Sequence, residues 1–167
     1  MRAKKVAFLG ISVTLAMVLS FIELQLAFFI PIYGGFGIKI GLANLVTVLL
    51  LYKTRLWETA AVSFVRVLLV AILFGNPQSF IFSLTGAVLS LVAMWLLKRF
   101  GRFHYITVSI VGGVLHNVGQ IIAAVLWTQT EEVAFYLPVL LVTGIASGAV
   151  IGFVAGLMMK KIEKFRL

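Results

Sequence analysis

Arg66 is the residue whose position most strongly implies chemistry, because it lies inside a long apolar run. The run begins near Trp57, nine residues earlier, so Arg66 is expected roughly 13–14 Å along a helix, near the middle of a bilayer. A central arginine costs at least about 2.5–3.5 kcal/mol there. A partner, a water-filled cavity or an anionic ligand must offset that cost. Arg66 is therefore either paired structurally, with Glu23 or backbone carbonyls, or part of a binding site, and these two roles are compatible.

A second polar group follows helical spacing in a later apolar run. Ser109, Gly113, His116 and Gln120 recur at intervals of three and four residues and share one helical face, with Asn117 beside them. An isolated histidine in a membrane often only bridges helices through a hydrogen bond. Three hydrogen-bonding side chains within five residues favour a ligand site.

The remaining polar residues are expected in the outer half of the membrane. Asn44 shares a face with Thr47, Lys39 is expected at the outer surface as a ligand contact or a snorkelling side chain, and Glu23 could pair with Lys39 or Arg66. The basic side chains favour an anionic group such as a carboxylate or phosphate. We predict an outward-opening pocket whose substrate-binding residues are Arg66, His116, Asn117, Gln120, Asn44, Lys39 and Glu23.

Small residues at intervals of four form a further kind of signal, because they let two helices approach closely. One ladder consists of Gly144, Gly148, Gly152 and Gly156, for which internal helix packing is expected. The first apolar run carries two shorter sets, for which docking of an external partner is expected: Ala3 with Ala7, and Ser12, Ala16 and Ser20.

Composition assigns the chain to the integral membrane proteins. Of its 167 residues, 62% are hydrophobic and only 11% are charged, whereas soluble domains carry about 25% charged residues. The apolar runs are too long for the strands of an outer-membrane barrel. We predict a single all-α transmembrane domain over residues 1–167 with six helices, at about 6–30, 38–52, 57–74, 78–97, 104–127 and 133–159.

The basic residues indicate how these helices are oriented. If the N-terminus is cytoplasmic, 12 of the 14 basic residues fall on the cytoplasmic side. The positive-inside rule then gives six spans with both termini in the cytoplasm, and a cell membrane as the location. The same placement explains the net charge of +9 without nucleic acid as a partner.

Missing residue types narrow the chemistry. The chain has no cysteine and no aspartate, which excludes thiolate metal sites, cysteine nucleophiles and aspartate-based catalytic motifs. The sequence also contains no Walker A motif, no His-Glu-x-x-His motif and no Gly-x-Ser-x-Gly nucleophile elbow. We expect a protein that is not an enzyme and needs no metal or cofactor.

Four stretches of the sequence resemble a bacterial family of membrane proteins. They run from Gly37 to Thr47, from Ser63 to Arg66, from Leu73 to Gly75 and from Val114 to Gln120. They are similar to the "Gx transporter" proteins, also labelled heptaprenyl diphosphate synthase component I. That family is in turn similar to the substrate-binding S components of energy-coupling factor (ECF) importers. The resemblance implies a six-helix protein that binds a scarce nutrient from outside and docks, through small residues of its first helix, on a transmembrane T subunit driven by two ATPases.

Three functions remain open from the sequence. The first is the S component of an ECF-type importer for a small anionic nutrient related to a vitamin, an isoprenoid or a quinone. The second is a non-catalytic membrane accessory subunit of a polyprenyl diphosphate or quinone pathway. Polyprenyl diphosphate synthases hold Mg²⁺ with aspartate-rich motifs, so a chain without aspartate cannot be their catalytic subunit. The third is a standalone secondary transporter or channel.

Overall fold

The computed structural model describes residues 2–29, 41–101 and 103–162 as a bundle of helices. In that part of the chain no strand is found. The helices are α1 (Arg2–Phe29), α2 (Asn44–Lys53), α3 (Leu56–Phe74), α4 (Pro77–Phe100), α5 (Tyr105–Thr128) and α6 (Leu137–Ile162), with a 3₁₀ turn (Glu131–Tyr136) before α6. All of them except α2 and the 3₁₀ turn are long and apolar enough to cross a membrane.

Helix α2 lies at the centre of the bundle although it is the shortest helix. Its 10 residues rise about 15 Å, half the thickness of a bilayer. It contacts each of the other five helices, and seven of its residues are buried. Continuous hydrophobicity is typical of a fully buried helix, which explains the apolar run from Leu45 to Leu51.

The start of α2 explains why the second helix is shorter than predicted. Gly41 has φ +73, a left-handed conformation that residues with a Cβ rarely adopt. The amides of Asn44 and Leu45 then bond to the carbonyls of Gly41 and Leu42, respectively. The predicted span 38–52 is therefore replaced, in the described residues, by a turn at 41–43 and a helix from Asn44. Asn44 is consequently the first residue of a helix about 15 Å long.

Helices α4, α5 and α6 pack backbone against backbone. A Cβ at Gly148 of α6 would lie 2.6 Å from the Cα of Ile110 on α5, and a Cβ at Gly119 of α5 would lie 2.8 Å from the Cα of Gly86 on α4. Such distances leave no room for a side chain, so these glycines permit the close approach. Gly144 and Gly152 contact α5 in the same way, whereas Gly156 meets only the Tyr105 ring.

Among the described residues, helix α1 contacts α2 and α3 and no other helix, so it is peripheral. Its apolar contacts are a cluster of Ala16 with Val46, Leu50 and Val62, flanked by Phe8, Leu9, Val13 and Leu19, and the packing of the Phe21 ring on Phe74 of α3. The opposite side of α1 is exposed and carries small residues, among them Ala3, Ala7, Gly10 and Thr14.

The basic residues gather at one end of the bundle, which we call the basic end. The Nζ of Lys5 lies 2.7 Å from the Oε1 of Glu58. Lys98 donates to the carbonyl of Leu51, and the rings of Tyr52 and Tyr105 pack edge to face. These contacts join the starts of α1, α3 and α5 to the ends of α2 and α4, as the predicted alternation of spans requires.

The predicted boundaries of the third, fourth and fifth helices match the structure within three residues. The sixth predicted span, 133–159, differs more: residues 131–136 form the 3₁₀ turn, and α6 begins at Leu137. Pro138 follows directly. Proline is favoured in the first turn of a helix, where its missing amide hydrogen leaves no intrahelical bond unmade.

Candidate functional site

A small polar cavity lies between the first turn of α2 and the facing sides of α5 and α6. We call it the α2 cavity. Its volume is about 10 Å³, enough for one water-sized group. It is lined by Gly41, Asn44, Ser109, Gly113, His116, Asn117, Ser147, Gly148 and Ile151. Three residues predicted from the sequence as substrate-binding, Asn44, His116 and Asn117, thus lie together.

Helix α5 supplies four of the lining residues from the face that its spacing predicts. Ser109, Gly113 and His116 are three to four residues apart, and Asn117 is adjacent. The side chains of Ser109, His116 and Asn117 are buried. Polar side chains buried in a membrane bundle need hydrogen-bond partners or a polar ligand, so this face is either a structural junction or part of a site.

Hydrogen bonds fix two of these side chains. The Nδ2 of Asn117 donates to the carbonyl oxygen of Leu140 on α6 at 2.6 Å. The Nε2 of His116 and the Nε2 of Gln120 are 3.2 Å apart and form a hydrogen bond within α5. Asn117 therefore holds α5 against α6 from the cavity wall. Gln120 orients the imidazole without lining the cavity itself.

The hydroxyl of Ser109 is a further polar group in the cavity wall. Ser109 is only 3% exposed, and its Oγ has no hydrogen-bond partner among the residues that the structure describes. A buried hydroxyl without a partner is costly. Its position in the lining leaves it available to a group that enters the cavity.

Arg66 and Glu23 form a separate charged cluster between α1 and α3. The Nη1 of Arg66 donates to the Oγ of Ser20 at 3.4 Å, and Arg66 interacts electrostatically with Glu23. The carboxylate of Glu23 also accepts a hydrogen bond from the backbone amide of Gly41. Both charged side chains are buried. Neither lines the α2 cavity, but Gly41 belongs to both groups and joins them.

The predicted substrate-binding residues therefore fall into two groups, one at the α2 cavity and one at the Arg66–Glu23 cluster. Asn44, His116 and Asn117 line the cavity, Gln120 braces His116, and Arg66 with Glu23 lies beside it. Lys39 is outside the described residues. The guanidinium expected to attract an anion is thus held by groups of α1 and is absent from the cavity wall.

The second docking set on the first helix does not form an exposed face. Ser12, Ala16 and Ser20 are buried toward α2 and α3, because Ala16 packs in the apolar cluster and Ser20 bonds to Arg66. The structure therefore offers no exposed surface at these three residues, and docking of a partner there stays a prediction. Ala3 and Ala7 are exposed on the opposite side.

Gly41 and Ser147 line the cavity but were not among the predicted site residues. Ser147 directly precedes Gly148 of the glycine ladder, and this proximity to a close helix contact is a signal that sequence analysis could have used. Gly41 stands three residues before Asn44. Its role depends on a backbone angle that the sequence does not show.

These features define a polytopic α-helical membrane protein with a small polar cavity at the start of a short buried helix. A family model described as "Heptaprenyl diphosphate synthase component I" matches residues 12–158. The chain belongs to this family. The description names one component of a synthase, which implies a system of several subunits. A search of curated proteins finds no match, and a search of solved structures finds none either.

Proposed function

We propose that this chain is the substrate-binding S component of an ECF-type importer, and that it binds a small vitamin-, isoprenoid- or quinone-related nutrient from outside. The observation that carries the proposal is the α2 cavity. It puts three hydrogen-bonding side chains and an unpartnered serine hydroxyl in the interior of a membrane bundle. Buried polar groups of this kind in membrane proteins are typical of substrate sites.

The position of α2 supports a binding role. If the basic end lies at the membrane surface, the first turn of α2 lies about 15 Å below it, near the middle of the bilayer, where a continuous helix would have no free end. Transporters often build substrate sites near the bilayer midplane from helices that are interrupted there. A helix end exposed to hydrocarbon would leave backbone groups without partners, so its place beside a polar cavity fits a ligand site.

The orientation of the bundle follows from the charges. The basic end carries Lys4, Lys5, Lys53, Arg55, Lys98, Arg99, Lys160 and Lys161, and the positive-inside rule assigns it to the cytoplasm of a bacterium. Glu131 and Glu132 follow α5 at the opposite end. The α2 cavity would then be reached from the outside, through the end of the bundle opposite these basic residues.

The partner surface in this proposal is the exposed side of α1. Ala7, Gly10 and Thr14 line a shallow groove there, with Ala3 exposed one turn before it, and a Cβ at Gly10 would meet no described residue within 4 Å. Small residues facing lipid permit a close helix contact. The T subunit, coupled to two ATPases, would bind at this surface, on the side opposite Ala16.

The alternative is an accessory membrane subunit of a polyprenyl diphosphate or quinone pathway, which the family description favours. A chain without aspartate lacks the residues that hold Mg²⁺ in such synthases. We therefore propose that this subunit is not catalytic in either case, and that it needs no metal or cofactor.

Purification of the tagged protein from its native membranes separates the candidates. Mild detergent should retain the bound subunits, which mass spectrometry then identifies. A T subunit with two ATPases in stoichiometric amounts supports the importer, and a prenyl synthase supports the accessory subunit. Retention of neither, in a preparation that still binds a nutrient, would favour a standalone secondary transporter and contradict the proposal.

A further inference from the structure

The described residues that line the α2 cavity carry no fixed charge. Among the nine lining residues there is no lysine, arginine, aspartate or glutamate. The polar groups are two asparagine amides, two serine hydroxyls and one imidazole. An ion without a counter-charge is strongly disfavoured in such an environment. The chemistry of the wall thus matches a neutral polar group.

The nearby charges do not change this balance. Arg66 interacts with the carboxylate of Glu23 and donates to Ser20, so its positive charge is already offset within α1 and α3. Glu23 is in turn bonded to the amide of Gly41. An anionic ligand would have to displace a buried carboxylate from this cluster before Arg66 could bind it.

Two features of the wall favour a hydrogen-bond acceptor as the entering group. The first turn of α2, with Gly41 and Asn44 in the lining, directs the positive end of a helix dipole toward the cavity. The hydroxyl of Ser109 is 97% buried, lines the same cavity and has no partner in the described part of the chain. A hydroxyl in that state can donate to an oxygen atom placed in the cavity.

We infer that the α2 cavity receives a neutral oxygen acceptor of the substrate, a carbonyl, amide or hydroxyl oxygen, rather than a carboxylate or a phosphate. This inference rests on the proposed function and names the substrate class for its site. With a volume of about 10 Å³, the cavity takes one such group and not a whole ligand. Ser109 donates to it, and the α2 dipole stabilises its partial negative charge.

Two probes of nearly equal shape test this chemistry: benzamide, which presents a neutral carbonyl oxygen, and benzoate, which presents a charged one. Their binding to the purified protein in detergent is measured by equilibrium dialysis at pH 8, above the ordinary histidine pKa of about 6.5. We expect benzamide to bind at least about tenfold more tightly, because only benzoate brings an uncompensated charge into the cavity. Equal affinity or a preference for benzoate would overturn the inference.

Ser109→Ala tests the position of the group. Loss of one hydrogen bond should weaken benzamide binding about two- to tenfold. Ser90→Ala is the matched control, since Ser90 is also a buried serine without a hydrogen-bond partner but lies outside the cavity. It should leave benzamide binding unchanged. Equal effects of the two variants would show that Ser109 does not contact the probe, and would contradict the inference.

Failure of the inferred neutral acceptor can be distinguished from failure of the proposed binding function. If neither probe binds but solvent extraction of the purified protein releases a stoichiometric small molecule, the binding role stands and the assignment of a neutral acceptor to this cavity is wrong. If neither probe binds and nothing is extracted, the cavity holds only a water and both proposals fail. Should Ser109→Ala not fold, the preference of the wild-type protein between the two probes still decides.

Discussion

Helices α5 and α1 are held in the bundle by different forces. Half of the residues in the apolar stretch of α5 are buried, against 22% in that of α1. Helix α5 packs on α4 and α6 through glycines that bring the backbones together. Helix α1 makes one apolar cluster and several polar contacts, through Lys5, Ser20 and Glu23.

This difference in packing indicates which helices are suited to hold a ligand site and which helix is suited to bind a partner. Packing without a hydrophobic driving force in lipid depends on close shape complementarity, so the α4–α5–α6 unit is suited to hold a small site rigidly. Helix α1 is exposed along the side opposite its contacts with α2 and α3. Helix α1 is therefore the helix that can bind a partner protein, while the packing of α5 keeps the cavity intact.

The largest expected effect comes from the charges that bind α1 to α3. Glu23→Gln leaves Arg66 as an uncompensated buried charge, which should cost about 3–5 kcal/mol of stability. The double variant Glu23→Gln/Arg66→Gln removes both charges and should recover most of the loss. Thermal unfolding in detergent is measured for Glu23→Gln, for Arg66→Gln and for the double variant. If the effects of the two single variants simply add in the double variant, the two side chains do not stabilise each other.

The second-largest effect on stability is expected at the close contact between α5 and α6. Gly148→Ala places a Cβ 2.6 Å from the Cα of Ile110, and overpacking of this kind costs about 1–3 kcal/mol. Gly10→Ala on the exposed side of α1 is the matched control, because a Cβ there has free space. Unfolding of the two variants should differ clearly. Equal stabilities would mean that α5 and α6 are not in backbone contact at Gly148.

A smaller effect is expected at the wall of the cavity. Asn117→Ala removes the hydrogen bond to the Leu140 carbonyl, and interhelical hydrogen bonds in membrane proteins contribute about 0.6 kcal/mol on average and at most about 1.7. Thr14→Ala serves as control, since its hydroxyl bonds only within α1. If Asn117→Ala lowers the free energy of unfolding no more than Thr14→Ala does, the Asn117–Leu140 hydrogen bond does not stabilise the packing of α5 on α6.

The smallest effect on stability is expected from Ala7→Trp. Ala7 is exposed on α1, so the bulky side chain should leave folding and nutrient binding nearly unchanged while it abolishes ATP-dependent uptake in cells. Ala16→Trp is the contrasting variant. Ala16 is 3% exposed and packed in a cluster, so tryptophan there should disturb folding itself. Normal uptake by the Ala7→Trp variant would exclude this surface as the docking site.

Hydrophobicity and spacing predicted the helical fold and the polar face of α5, because helical periodicity is local. Ser109, His116 and Asn117 share a face whatever the neighbouring helices do. The side of α1 that packs inward depends on the helices around it. Ser12 and Ala16 have the same size and spacing as residues that face lipid elsewhere in the helix, so their burial was not predicted.

The predicted substrate-binding residues lie in two separate groups because their positions also depend on how the helices pack. Arg66 was correctly identified as a residue that needs compensation, and a pair with Glu23 was one of the two predicted solutions. Arg66 on α3 bonds to Ser20 of α1, whereas His116 on α5 lines a cavity with residues of α6 and the start of α2. Which of these helices pack on one another depends on tertiary contacts that local periodicity does not specify.

The central claim is that the α2 cavity binds a nutrient, and small-molecule extraction from the purified protein tests it most directly. The protein is purified from its native membranes without added ligand, extracted with solvent, and analysed by mass spectrometry alongside Asn44→Ala and Ser90→Ala. We predict one small molecule in stoichiometric amount from the wild type and from Ser90→Ala, and a loss of most of it from Asn44→Ala. The same molecule at full occupancy in a folded Asn44→Ala protein, or no retained molecule in any of the three, would contradict the account.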